Sequence, residues 1–319
     1  MDLDIKDRKL LSELEKNARQ PLLRLAKKTG LSRDVVGYRI RQLEHKGIII
    51  RYMAVIDFHR FGYQQYKVYL QLQHVTEEKY REMLDYLVLN DRVKWVAECN
   101  GRWDLLFAVI TSSVLEFDET KNEFFSRFAQ FVADKSITTM VVDYPSLRAY
   151  LLGTASTADP PLMAPSDQAP LPLEQTDLEI LRLLSHNARQ SALDIAKQTG
   201  LSPRVVGYRI KQLEKQKVIL NYRIGIDLEK IGYKFFKAFI YLDNATPQRK
   251  KEFTRFCLAH PNITHAVVTV GNWDIEPEFE VPTNEEFYAL IRQIRGKYAD
   301  IIKKIETVLI SKEHKFEYL

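Results

Sequence analysis

The sequence predicts an α+β protein built as a tandem repeat, in which a helical domain and a βαββαβ domain each occur twice. The segment that begins at Leu31-Ser32 returns 170 positions later at Leu201-Ser202. In both copies the apolar spacing changes from helical to alternating a little further along the chain. Between the copies, residues 151–172 hold five of the twelve prolines. A period of this length indicates duplication of a two-domain unit and not a short structural repeat.

The helical domain is predicted over residues 1–56 and again over 173–226. Three helices are expected in the first copy, and a β-branched run, Ile48 to Asp57, is interpreted as the strands of a wing. The third helix has Ser32 as its N-cap and Val36, Ile40 and Leu43 on one face. This order predicts a winged helix-turn-helix. The predicted helices are Asp4–Lys16, Leu22–Thr29 and Arg33 to about Lys46.

The βαββαβ domain, a ferredoxin-like arrangement, is predicted over residues 57–150 and again over 227–319. A hairpin turn is expected at Asn100-Gly101, the second helix is expected from Phe117 to Val132, and the last strand from Ile137 to Tyr150. Ile137 is matched with Ile305, which would make the second copy two residues shorter there. Residues 151–172 are interpreted as a partly extended linker and not as a packed element.

Positive charge is confined to the two helical domains. Their net charges are +6 for residues 1–56 and +4 for 173–226, against −3 for 57–150, −2 for 151–172 and zero for 227–319. Such asymmetry indicates an anionic partner, and a short basic helix with an aromatic outer face suits the major groove of double-stranded DNA. The candidate DNA-binding residues are Arg33, Gly37, Tyr38, Arg39 and Arg41 in the first copy and Arg204, Gly207, Tyr208, Arg209 and Lys211 in the second.

Within this set, Arg39 and Arg209 are assigned to phosphate because they flank the apolar face of the helix. The mid-helix Gly37 and Gly207 allow two interpretations, close approach to DNA or tight packing against the preceding helix. The helices also start differently, with Arg33-Asp34 in one copy and Pro203-Arg204 in the other. Since the helix start usually meets base edges, an operator with two related but unequal half-sites is expected.

Other classes of protein have little support in the composition. No apolar run is long enough for a membrane helix, and Cys99 and Cys257 are isolated, so a cytoplasmic protein without disulfides, bound metal or cofactor is expected. No catalytic residues are proposed. One face of a predicted strand is lined by three glutamates, Glu276, Glu278 and Glu280. Buried carboxylates cannot stay unpaired, so this face must be wet or must meet cations such as Lys237 and Lys312 or an outside ligand. Pro277 is unexpected in an internal strand.

Several motifs resemble the Lrp/AsnC family of transcription regulators, including its two-copy archaeal members. They are Leu-Ser-x-x-x-Val-x-x-Arg-Ile-x-x-Leu-Glu, the Gly-Tyr step at Gly62 and Gly232, and Gly-x-Trp-Asp in the predicted hairpin. The resemblance implies a sequence-specific transcription regulator with a RAM-type ferredoxin-like domain, modulated by a small molecule such as an amino acid. The effector would bind at Gly101, Asp104, Gly271 and Asp274, although glycine there could simply close the turn.

The resemblance also implies a homo-oligomer, such as a dimer, through pairing of the ferredoxin-like sheets. Pairing between chains is favoured over pairing within the chain, because the apolar face of Leu106, Ala108 and Ile110 is a poor match for the three glutamates on the equivalent strand. Two rival functions remain at this point. Siroheme decarboxylases resemble the same family, and an architectural DNA-binding protein would need no sequence preference.

Overall fold

A computed structural model describes residues 3–154, 162–165 and 169–319. The helices and strands of the first copy are α1 (Ile5–Lys16), α2 (Leu22–Thr29), α3 (Arg33–His45), β1 (Ile49–Ile56), β2 (Gln64–Leu72), α4 (Glu77–Leu89), β3 (Val93–Gly101), β4 (Leu105–Thr111), α5 (Val114–Phe128) and β5 (Val132–Pro145). Those of the second copy are α6 (Gln175–His186), α7 (Ala192–Thr199), α8 (Pro203–Lys215), β6 (Ile219–Ile226), β7 (Lys234–Leu242), α9 (Pro247–Ala259), β8 (Ile263–Val270), β9 (Ile275–Val281), α10 (Asn284–Lys297) and β10 (Ile302–Phe316). Within these described ranges, no helix is long and apolar enough to cross a bilayer.

The two copies are in register over their whole length, with a constant offset of 170. Val68 pairs with Ile137 in the first sheet, and the equivalent Ala238 pairs with Thr307 in the second. The match of Ile137 with Ile305 was therefore wrong. The predicted boundary between α5 and β5 was also wrong. The helix ends at Phe128, and the chain is extended from Val132 because that residue already pairs with β2.

The two helix-turn-helix domains join through the strands that follow their third helices. β1 and β6 form an antiparallel two-stranded sheet, with Ile49 opposite Ile226 and Ile56 opposite Ile219. The same two repeat positions meet at both ends, which defines a pseudo-two-fold axis within one chain. The predicted wing hairpin in each domain is replaced by this pairing, because the strand's partner comes from the other copy. Helix α1 packs on β6 and α6 on β1, so the two domains share one apolar core.

The two ferredoxin-like sheets close into a single eight-stranded barrel, with the strand order β10-β3-β4-β2-β5-β8-β9-β7. The copies meet where β5 pairs with β8 and where β10 pairs with β3. The expectation of sheet pairing between chains was wrong, because pairing within the chain satisfies both sheets. The interior includes an apolar cluster from both copies, whereas the helices α4 and α5, and α9 and α10, cover separate cores on opposite outer sides.

The three glutamates of β9 are compatible with this interior because cations from both copies reach them. Glu276 Oε2 accepts hydrogen bonds from Lys67 at 2.9 Å and from Lys237 at 3.0 Å. Glu278 lies 2.9 Å from Lys237, and Arg148 binds Glu280 at 2.8 Å. Of the two lysines suggested as partners, Lys237 is one and Lys312 is not; Lys67 and Arg148 come from the first copy.

Pro277 also has a physical account. It faces the core beneath α9 and α10, in the row of Ile275 and Phe279. The ladder between β7 and β9 is interrupted between Lys237 and Ile240, at the position of the proline. On its other side, Pro277 lies opposite Ala266 in an intact ladder with β8. The missing N–H of Pro277 thus interrupts the ladder with β7 only, whereas the equivalent Phe107 of the first copy keeps its pairing with Val68.

The described part of the predicted linker is packed, contrary to expectation. Leu151 and Met163 are buried, and Met163 exchanges two backbone hydrogen bonds with Asp143. The Leu171 N–H donates to the Arg60 carbonyl at 2.7 Å. Apolar side chains among the prolines thus attach the connection to the core. Residues 155–161 and 166–168 of this predicted linker lie outside the described residues.

Candidate nucleic-acid interface

The third helix of each helix-turn-helix presents a polar face to solvent. Ser32 Oγ accepts from the Val35 N–H and Ser202 Oγ from the Val205 N–H, both at 3.3 Å, so the two helices begin alike. Their apolar rows are buried, while Tyr38 is 57% exposed and Tyr208 63%. The charged residues that share this exposed face are Arg33, Arg41, Arg204 and Lys211. The pseudo-two-fold axis therefore relates two exposed basic helices.

Arg39 and Arg209, assigned to phosphate from the sequence, have partners inside their own domains. Arg39 contacts Asp4 at 2.7 Å and Asp7 at 2.8 Å. Arg209 makes the equivalent pairs with Glu174 and Asp177 at the start of α6. Hydrogen bonds to these carboxylates raise the pKa of both guanidinium groups. The geometry gives the two arginines a different role: each links the third helix of its domain, the recognition helix, to the start of the first helix by ion pairs.

The two mid-helix glycines have different surroundings. A Cβ on Gly37 would lie 3.5 Å from both the Arg41 guanidinium and the Leu22 side chain, which is ordinary contact. A Cβ on Gly207 would meet nothing within 4 Å. Tight packing against the preceding helix therefore does not account for Gly207.

Two arginines that the sequence analysis did not single out hold the helical domains together. Arg19 donates to the carbonyls of Ala188 and Gln190, and Arg189 donates back to the Ala18 carbonyl at 3.0 Å. Each guanidinium also lies 5.3 Å from a tyrosine ring of the other copy. The exact recurrence of Asn-Ala-Arg-Gln 170 positions later was the available signal for this interface.

The four predicted effector residues take part in the fold. Gly101 (φ +138°) and Gly271 (φ +153°) lie at the ends of strands, and the hairpin turn follows them. A Cβ would come within 2.6 Å and 2.8 Å of a backbone carbonyl oxygen of the other copy, so both glycines allow the copies to approach. Asp104 accepts a hydrogen bond from the Leu72 N–H, and Asp274 one from the Leu242 N–H.

A small cavity of about 70 Å³ lies where the barrel meets the helical domains. Titratable groups from both copies line it, namely Lys67, Asp143, His265, Glu278, Glu313 and Glu317. His265 Nδ1 is 3.1 Å from the Asp143 carboxylate. Burial alone would lower the pKa of His265, but the Asp143 charge outweighs burial and raises it. Burial also raises the pKa of Glu313, whose carboxylate accepts from Trp95 at 2.8 Å.

A chain of polar contacts leads from this cavity to both helical domains. Arg223 of β6 lies 3.5 Å from His265 and donates to Glu15 of α1 at 2.8 Å. Arg148 then joins Glu15 at 3.0 Å to Glu280 of the barrel. Burial would raise the pKa of Glu15, but the two arginines hold it below its usual value. All four domains therefore meet in one ionic network.

The fold, the pseudo-two-fold axis and the two exposed basic helices define a helix-turn-helix protein with two DNA-binding units. Residues 3–44 match the AsnC-type helix-turn-helix domain, and residues 173–219 match a winged helix-turn-helix DNA-binding family. A proline dehydrogenase transcriptional activator of Rhodobacter capsulatus is 32% identical over 142 residues, which are 43% of this chain and 90% of that protein. The chain belongs to the Lrp/AsnC family of transcription regulators.

Other similar proteins match one copy or the whole architecture. The HTH-type transcriptional regulator FL11 of Pyrococcus horikoshii is 28% identical over 148 residues, covering 46% of this chain and 93% of that regulator. The siroheme decarboxylase NirDL has the same fold over 99% of this chain and 94% of its own, with a TM-score of 0.64 and 14% sequence identity. At that identity the likeness concerns the fold alone.

Proposed function

We propose that this transcription regulator binds an imperfect inverted repeat in DNA as a single chain. The observation that carries the proposal is the antiparallel pairing of β1 with β6, which relates α3 and α8 by a pseudo-two-fold axis. Two-fold related recognition helices read half-sites of opposite orientation. In this arrangement Arg33, Tyr38 and Arg41 face one half-site, and Arg204, Tyr208 and Lys211 face the other.

The two half-sites agree at their centre and differ where the helices begin. Tyr38 and Tyr208 are equivalent and similarly exposed, so the centres of the helices are alike. At the helix start, Arg33 can make a bidentate contact to guanine, worth about 1–3 kcal/mol of discrimination, and Pro203 cannot. Asp34 repels phosphate where Arg204 attracts it.

Selection of bound sites from random duplex DNA tests this proposal. The parent protein should select an inverted repeat with unequal half-sites. In a variant with Arg33→Pro and Asp34→Arg, the two selected half-sites should converge, that is, resemble each other more closely than those of the parent. The exchange is matched to the structure, because both serine caps have the same geometry. Sites without sequence preference would favour an architectural protein, and unchanged asymmetry would show that these two positions do not read bases.

We further propose that a small effector with both charges, such as an amino acid, binds in the cavity at the barrel end. Lys67 can bind a carboxylate, and Asp143 or Glu313 an ammonium group. The network from His265 through Arg223 to Glu15 offers a physical connection to the DNA-binding helices. Thermal unfolding in the presence of each amino acid tests this, with Glu313→Gln as the variant that keeps the hydrogen bond from Trp95. A ligand that stabilises both proteins equally would place its site elsewhere.

An enzymatic role is supported by likeness of fold alone. The cavity of about 70 Å³ is well below the 300–1,000 Å³ typical of pockets for larger organic ligands. A tetrapyrrole would not fit there. Tetrapyrrole absorbance that purifies with the protein in a fixed ratio would reverse this conclusion.

A further inference from the structure

The two helical layers on the outside of the barrel carry opposite charges. The acidic layer, formed by α4 and α5, has eight acidic and four basic side chains. The basic layer, formed by α9 and α10, has seven basic and three acidic side chains. The net charges are therefore −4 and +4, although the layers occupy equivalent positions in the two copies.

The acidic layer also contains an open groove of about 970 Å³ between its two helices. Five carboxylates and two arginines line this groove: Glu77, Glu78, Glu82, Asp85, Glu123, Arg81 and Arg127. Leu89, at one end of the groove, is 80% exposed, and Val114 and Leu115 on the same layer are 66% and 65% exposed. Exposed apolar side chains on a charged surface are typical of an interaction surface.

Key charges on both layers are available to a partner. In the described part of the chain, Glu78 and Asp85 on the acidic layer are exposed and make no ion pair. The same holds for Lys251 and Arg255 on the basic layer. Asp85 and Arg255 are equivalent positions, so the charge reverses there between the copies. A partner that supplies the opposite charge would not first have to break a contact.

We propose that the chain associates head to tail with further copies of itself, the acidic layer of one chain binding the basic layer of the next. A symmetric contact between two identical layers would place like charges opposite each other, which is unfavourable. The head-to-tail contact instead brings opposite charges together. Because the layers lie on opposite outer sides of the barrel, each chain can use both at once, and the contact can propagate.

The dimensions of the layers predict a weak contact. A helix of 13 residues, such as α4, is about 20 Å long, and two helices side by side are about 20 Å wide. The resulting face of about 400 Å² per partner is half the roughly 800 Å² of a standard stable interface. Association should therefore be reversible, should increase at high protein concentration, and should weaken when salt screens the charges.

Sedimentation velocity of the full chain without DNA tests the proposal at low and high salt. Two charge-reversal variants are needed, Glu78→Lys with Asp85→Lys and Lys251→Glu with Arg255→Glu. Each variant alone should stay a single chain, because the two changes bring the net charge of one of its layers to zero. An equimolar mixture of the two should form pairs, because the unchanged basic layer of one variant can still bind the unchanged acidic layer of the other, and this pairing controls for damage to the fold. A variant with all four changes should stay a single chain, because neither of its layers keeps a net charge.

Two results would overturn the proposal. One is a parent protein that remains a single chain at low salt and high concentration. The other is an assembly that persists unchanged in the Glu78→Lys, Asp85→Lys variant, since its contact could not then use the acidic layer.

Discussion

Glu276 can be replaced by leucine, the residue that the other copy has at the equivalent position 106, to test the ionic cluster inside the barrel. The change removes the carboxylate that Lys67 and Lys237 share. Lys237 keeps Glu278 at 2.9 Å, but Lys67 loses its hydrogen-bonded carboxylate. Among the described residues, Lys67 keeps only the negative charges of Glu278 and Asp143, to which it makes no hydrogen bond. Breaking a buried ion pair from one side costs about 3–5 kcal/mol. We expect a loss of that size in the free energy of unfolding.

Equilibrium unfolding in urea measures this loss, with the double variant Lys67→Met, Glu276→Leu as the control. Both variants leave Tyr69 and Trp273 without the Glu276 oxygen to which they donate, so that cost cancels between them. The double variant also removes the buried charge of Lys67, which no longer has Glu276 as its partner. It should therefore recover about 2 kcal/mol or more of the lost free energy of unfolding. Equal stability of the two variants would refute the argument that the charge of Lys67 dominates.

The same pair of variants has a pH signature. Burial already lowers the pKa of Lys67 in the parent protein, against the opposing effect of Glu276. Without Glu276 its folded-state pKa falls further, so the unfolded state binds more protons and stability rises with pH. The difference between the two variants should therefore shrink as the pH rises toward about 10, near the pKa of a lysine in the unfolded chain. A difference independent of pH would contradict this account.

Two further predictions concern single positions. Gly207→Ala should raise the free energy of unfolding by up to about 1 kcal/mol, because nothing lies within 4 Å of the new Cβ; if DNA approaches there, a binding titration should show lower affinity in the same variant. His265→Gln should destabilise the protein most at low pH. Asp143 raises the folded-state pKa of His265, so its contribution is complete below about pH 6.5 and is lost as the pH rises through the folded value. A loss of stability that grows with pH in thermal unfolding would contradict the sign.

Local structure was predictable because its causes lie within a few residues of each other. Ser32, Val36 and Ile40 define the recognition helix by its cap and its apolar spacing, and the structure has that helix. The joining of the copies was not predictable in the same way. The partner of β1 lies about 170 residues away, and an unpaired strand edge leaves little trace in a sequence.

The candidate site shows the same division between local and distant causes. The exposed tyrosines follow from the pattern of one helix, whereas the partners of Arg39 come from the start of another helix. Acidic residues recur at both equivalent positions, Asp4 and Asp7 in one copy and Glu174 and Asp177 in the other, and this pattern could have indicated the ion pairs. Lys237 could be inferred as a partner of Glu276 because both lie in the second copy, but Lys67 could not, since it belongs to the first.

Covalent connection of the two copies changes how occupancy of DNA depends on the amount of protein. Separate subunits that pair only weakly would fill a two-part site in proportion to the square of their concentration. Here the second helix is always present beside the first, because β1 and β6 and the barrel strands join the copies within one molecule. Occupancy of a single operator should then follow the first power of concentration, so that regulation responds to small amounts of protein without a threshold.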